Sequence, residues 1–181
     1  IGGMRDGEPV VFRVNGALAV ASPLFTWQDD KSSHRVDLTA GATETQLILL
    51  RPGWNLSSLR VVPPVTLVDE VLRSIAGKYD RVLGEEGIYI PALPDVFNTL
   101  RDLEGGRGYY VRFTGGVNTN LLVEGTLLSP STPLPLHAGW NWIGYLPDTA
   151  LPVAQALESI SGKYLRVLSD NATYDPALPP E

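Results

Sequence analysis

The chain contains no cysteine. Disulfides, thiolate nucleophiles and cysteine-based zinc sites are therefore excluded. Histidine is scarce as well, with only His34 and His137, so a metal site would need carboxylates around a single imidazole. Basic residues are outnumbered, 14 Lys+Arg against 20 Asp+Glu, and the net charge of −6 argues against nucleic-acid binding. No apolar run approaches the roughly 18 residues a membrane-spanning helix needs, so membrane insertion is not expected. Gly-x-Ser-x-Gly, His-Glu-x-x-His and P-loop signatures are all missing. Gly105-Gly106-Arg107-Gly108 is glycine-rich but leads into a strand pattern, not into a helix whose N-terminus would hold phosphate. No enzyme class and no cofactor is expected.

What is abundant is turn chemistry. Gly (18) and Pro (15) make up 33 of 181 residues, about 18% against a usual share of about 12%. With 44% apolar residues the chain can bury a core, but with short elements and many turns.

An internal repeat organises most of the sequence. Gly53-Trp54-Asn55 recurs as Gly139-Trp140-Asn141, and the stretch 73–93 recurs at 158–178 with 12 identities in 21 positions. Chance would give about one or two at average residue usage. Val68, Val71, Leu72 and Ile75 fall on one face of a helix, and Val153, Ala156, Leu157 and Ile160 keep the spacing. Thr66 and Asp69 have the spacing of a capping box, and Pro152 suits a first helical position. Gly77 and Gly162 stand where a left-handed residue would end each helix, followed by Lys78 and Lys163. A second helix is predicted from Asp95 through Phe97, Leu100 and Leu103 to Gly105. Strands are predicted at 46–50, 56–62, 79–83, 87–90, 134–137 and 142–145. A hairpin is predicted from 109–114 and 120–128 around Gly115-Gly116-Val117-Asn118.

Residues 1–42 read as strands without a helix, the first two around Asn15-Gly16, a strong hairpin signal, then 23–28 and 34–38. The expected organisation is an all-β segment at 1–42, a first repeat unit at 43–130, and a second unit at 131–181 lacking the partners of Phe97–Leu103 and of the hairpin. That second unit is expected to belong to a longer array, or to be completed by the N-terminal segment or another chain. The fold class is α+β: a β-rich duplicated module, mainly antiparallel, with short packed helices, preceded by a β-hairpin or partial β-sandwich.

The run from Asp6 to Gly16, Trp27 and Arg35-Val36-Asp37-Leu38-Thr39 resembles the end of immunoglobulin-like modules in large secreted or surface prokaryotic proteins. The Gly-Trp-Asn repeats with Gly108-Tyr109-Tyr110-Val111 are similar to tandem repeat modules of secreted multi-domain bacterial proteins. The absence of cysteine agrees with a prokaryotic source. The resemblance implies an extracellular or cell-surface protein, a structural or adhesion module without catalysis. Its partners would be neighbouring modules of a longer chain, polysaccharide or another surface protein.

Two readings of the aromatics stay open. Trp54, Asn55, Trp140, Asn141, Tyr109 and Tyr110 are candidate ligand-binding residues, because a rigid exposed ring beside a polar amide can stack a sugar. Alternatively each Trp closes the core over its helix while each Asn caps its turn, which recurrence alongside core positions favours. Asp29-Asp30 with Asp37, Glu85-Glu86 and Asp102 with Glu104 read as solvated turns and faces rather than calcium ligands or paired acids. Neither histidine is expected to carry chemistry.

Overall fold

A computed structural model describes residues 5–14, 17–22, 25–40 and 43–178. In chain order the strands are β1 (Phe12–Val14), β2 (Ala17–Ser22), β3 (Asp37–Ala40), β4 (Thr43–Leu50), β5 (Gly53–Ser58), β6 (Val61–Val62), β7 (Tyr79–Gly84), β8 (Gly87–Tyr89), β9 (Gly108–Phe113), β10 (Thr119–Leu127), β11 (Val167–Leu168) and β12 (Thr173–Tyr174). The helices are single turns, α1 (Val68–Val71) and α2 (Val153–Ala156), each running into a 3-10 turn, Arg73–Ile75 and Glu158–Ile160. All described strand pairs are antiparallel. The fold is thus β-rich with few short helices. Contacts divide the chain into two compact units, 1–146 and 147–181.

In the first unit, two sheets enclose the core. One has the order β4-β10-β6 and the other β5-β9-β7-β8. The chain passes between them four times, from β4 to β5, β5 to β6, β6 to β7 and β9 to β10. Alternation decides which side chains meet: Leu121 and Val123 of β10 point inward, as do Tyr109, Val111 and Phe113 of β9 and Val82 of β7. The stripe Val68, Val71, Leu72 and Ile75 fills the same core, together with Leu50, Val61 and Leu103. Each such side chain contributes about 1.5–3 kcal/mol by leaving water. That burial holds a helical turn too short to persist alone.

The N-terminal sheet has the order β1-β2-β3, and β2 lies against β10 with Ala19 and Ala21 buried. The expected Asn15-Gly16 turn lies outside the described residues. The expected 23–28 strand is reduced to one bridge, Pro9 to Thr26, and its first two residues are also outside them.

Four sequence expectations give way. The 109–128 segment is not a hairpin: β9 and β10 belong to different sheets, because β10 pairs with β4 over eight residues while β9 sits between β5 and β7. The helix expected from Asp95 is one 3-10 turn, Asp95–Phe97. Beyond it the backbone is extended, since the buried Asn98 amide accepts from Ile90 N–H and donates to its carbonyl, and Thr99 and Leu100 N–H both donate to Ile88. Leu103 is core all the same, but Phe97 is exposed. The Thr66 hydroxyl does not cap α1. It donates to Asp102 at 2.6 Å, and α1 starts after Leu67 without a side-chain cap. Residues 134–137 form no described strand, and 142–145 contribute a single bridge, Ile143 to Arg107.

In the second unit, α2 and the Glu158–Ile160 turn precede a two-stranded sheet of β11 and β12. Parts of its local geometry parallel the first unit. Ala156 and Leu157 N–H donate to Pro152 and Val153 carbonyls, as Val71 and Leu72 do to Leu67 and Val68. Gly162 has φ +72° where Gly77 has +73°. Val167 pairs with Tyr174 as Val82 pairs with Tyr89.

Candidate functional site

The site starts from a turn. Gly53 sits at φ +99° and Gly139 at φ +103°, a left-handed backbone that side chains disfavour. Each turn is closed by the asparagine two residues on. Asn55 Oδ1 accepts from Arg51 N–H at 2.8 Å, and its Nδ2 donates to the Arg51 carbonyl at 2.8 Å and the Gly53 carbonyl at 3.0 Å. Asn141 does the same with His137 and Gly139, at 2.9, 2.9 and 3.1 Å. One amide thus satisfies a donor and two acceptors that the turn would otherwise leave open.

This arrangement places the tryptophans outside. Trp54 is 45% exposed and Trp140 60%. Neither closes the core, so the packing reading of these residues is corrected while the capping reading of the asparagines stands. For Trp54 the reason is strand parity: the inward position of β5 is taken by Asn55, 7% exposed, and Trp54 beside it must face outward.

On the outer face of β5-β9-β7-β8, Trp54 stands opposite Arg112 and Leu56 opposite Tyr110. The Trp54 and Tyr110 rings meet edge to face at 6.4 Å, and Tyr110 meets Trp142 likewise at 5.3 Å. The Arg112 guanidinium lies 5.9 Å from the Trp54 ring centre and is held by Asp80, with Nε 2.6 Å from Oδ1 and Nη2 on Oδ2. The Arg112 hydrogen bonds keep the Asp80 carboxyl below its ordinary range, and Asp80 raises the guanidinium in return.

Trp142 reaches this row from the second Gly-Trp-Asn turn, which Glu85 ties down from the β7–β8 turn. Glu85 Oε2 accepts from Trp142 N–H at 2.7 Å, and Oε1 pairs with His137 Nε2. The Trp142 amide chiefly, with His137, lowers the Glu85 pKa. The bond to the Ala138 carbonyl, then Glu85, raises that of His137. Glu85 is a mostly buried acceptor, not the solvated turn residue its sequence context suggests.

Of the six candidate residues, the outer face gathers Trp54 and Tyr110, and Trp140 stands exposed on its own turn. Asn55 and Asn141 serve the turns. Tyr109 faces the core, where burial pushes its phenol up to about 12 and its oxygen accepts from Glu104 N–H at 2.7 Å. Sequence reasoning leaves Trp142 open to either reading without naming it a candidate, and misses the Arg112–Asp80 pair. The available signal was the alternation Tyr110-Val111-Arg112, which puts a second large polar side chain beside Tyr110.

No family model, curated protein or solved structure matches this chain.

Elsewhere in the first unit, an open cleft of about 390 Å³ is lined by Phe12, Phe25, Trp27 and His34. His34 is occupied by Asp30 at 3.0 Å, and the Ser32 N–H bond, ahead of His34, lowers the Asp30 carboxyl. Among the described residues no three His, Cys, Asp or Glu form a group suited to a metal ion, and no helix is long and apolar enough to cross a membrane.

Proposed function

We propose that this chain is a non-catalytic interaction module of a secreted or cell-surface protein, built from a duplicated unit whose Gly-Trp-Asn turns hold tryptophan out to a partner. The observation that carries it is the recurring amide-closed turn, with its tryptophan about half exposed both times. An exposed tryptophan on a fixed backbone loses little entropy on binding, which suits it to recognition. Neighbouring modules of a longer chain or another surface protein are the partners this reading supports. The matching hydrogen bonds at 67–78 and 152–163 and the shared Val82–Tyr89 and Val167–Tyr174 register support the duplication.

A second reading is favoured by one further observation. The row Trp54–Tyr110–Trp142, with Arg112 and Asp80 beside it, joins aromatic faces to hydrogen-bonding groups, as a carbohydrate-binding module requires. Retention on insoluble polysaccharides and on immobilised surface proteins tests both. Trp54→Ala and Trp140→Ala should leave folding intact. Loss of polysaccharide retention through Trp54→Ala supports the sugar reading. Loss of protein capture through either variant supports the first. Unchanged retention on every surface tested refutes an interaction role for these rings.

A further inference from the structure

The stripe that is sealed in the first unit lies open in the second. Ile75 and Val82 are fully buried, whereas Ile160 and Val167, 85 residues on, are half-buried. Val68, Val71 and Leu72 change in the same way to Val153, Ala156 and Leu157, and no described residue of 147–178 is buried. The helical-turn hydrogen bonds, the left-handed glycine and the Val–Tyr pairing are shared, so the difference lies in what covers them.

The first unit identifies the cover. β7 is paired on both edges, by β8 and by β9, with Val111 opposite Val82 and Tyr110 opposite Leu83. Thr114 N–H donates to the Lys78 carbonyl at 2.7 Å. The Ser74 hydroxyl accepts from Leu122 N–H at 2.9 Å and donates to its carbonyl, fixing β10 over the helical turn. In the second unit, β11 is paired only with β12 in the described sheet, and Ser159, the counterpart of Ser74, is exposed.

We propose that the apolar face of 153–174 is a docking surface for a polypeptide with the chemistry of residues 108–127. One strand, carrying Tyr, Val and Phe at alternate positions, adds to the open edge of β11. A second, with Leu and Val two apart, crosses α2 and bonds the Ser159 hydroxyl. Backbone pairing supplies affinity and the alternate side chains supply selectivity. The inference rests on the duplication proposed above.

The test uses the intact chain and a synthetic peptide of residues 105–128 added in trans, with amide hydrogen exchange as the readout. Binding should slow exchange at 166–168 by at least about tenfold, the minimum expected of a paired strand edge. A peptide carrying Val111→Asp should not do so. Ser159→Ala in the chain, a change at an exposed hydroxyl, should weaken the effect severalfold. No slowing at saturating peptide overturns the proposal. So does protection of 153–174 in the free chain, whether constant or rising with protein concentration, since the face is then covered by the chain itself or by a second copy. Nuclear Overhauser contacts between Val167 and Tyr174 in the free chain separate the two levels. If they are absent, the duplicated geometry fails. If they are present without peptide binding, only the docking fails.

Discussion

Replacing Asn55 and Asn141 by alanine, one at a time, separates the turn's chemistry from its surroundings. Both side chains make the same three turn bonds, one accepted and two donated, and Asn55 alone also donates to the Val111 carbonyl of β9 at 3.5 Å. Each intramolecular hydrogen bond is worth about 1 kcal/mol net. A buried donor left without a partner costs a further 1–3 kcal/mol or so, whereas an exposed one finds water. Asn55 is buried, so Asn55→Ala should cost about 2–4 kcal/mol and lower the melting temperature by roughly 6–14 °C. Asn141 bonds at the surface, and Asn141→Ala should stay within about 1 kcal/mol of the parent. Asn55→Asp should be at least as harmful as Asn55→Ala, because it turns a donor toward two carbonyls into a buried anion. Urea unfolding followed by tryptophan fluorescence is the assay. Trp27, Trp54, Trp140 and Trp142 all lie in residues 1–146, so the signal reports the first unit alone. An Asn55→Ala midpoint within error of the parent, or equal losses for both alanine variants, would refute the claim that the amide holds the turn.

Three further outcomes are expected. The Glu85–His137 tether should be strongest between about pH 4.5 and 6.5: Glu85, with its pKa lowered, loses its contribution as pH falls through that value, and His137, with its pKa raised, loses its own as pH rises through it. Chemical-shift titration of His137 in the parent and in Glu85→Gln checks this, and an unmoved midpoint counts against it. Tyr109 should stay protonated in the folded chain beyond pH 10, the first unit losing stability between pH 10 and about 12 as unfolded tyrosine ionises first, which ultraviolet absorbance with parallel unfolding curves measures. Gly125→Ala should cost about 1–3 kcal/mol, since a Cβ there would lie 2.7 Å from the Val62 carbonyl carbon and force β6 from β10, while Gly116→Ala meets nothing within 4 Å and should be near neutral in the same urea assay.

The sequence was most legible where a local rule sufficed. Period 3.6 over Val68, Val71, Leu72 and Ile75 found a stripe that is buried, and left-handed glycines were placed at Gly77 and Gly162. It was misleading where the rule needed a partner. The strands around Gly115-Gly116 look like a hairpin because alternation marks a strand without naming its neighbour. The eight-residue register between β4 and β10 outweighs a local turn. The Asp95 helix failed because the Asn98 amide, a weak element in any helix score, bonds the Ile90 backbone. The favoured inward reading of the tryptophans fails because recurrence is shared by core residues and turn residues alike. Only the parity of Asn55 on β5 separates them.

That parity carries a wider consequence. A motif repeated with its neighbours is ordinarily explained by packing, since packing constrains many residues together. Here the repeated asparagine closes its own turn, and the tryptophan beside it stays outside the core. Gly53 and Gly139 supply the backbone, Asn55 and Asn141 lock it, and the ring between them is left about half exposed. Apolar surface of that kind, held rigid and outward at two places in one chain, costs solubility unless something covers it. The half-buried stripe of 153–174 poses the same demand from the other side of the repeat: surface whose counterpart at 68–82 is satisfied by β9 and β10. On the reading proposed above, both features present apolar surface to an extended polypeptide or polysaccharide.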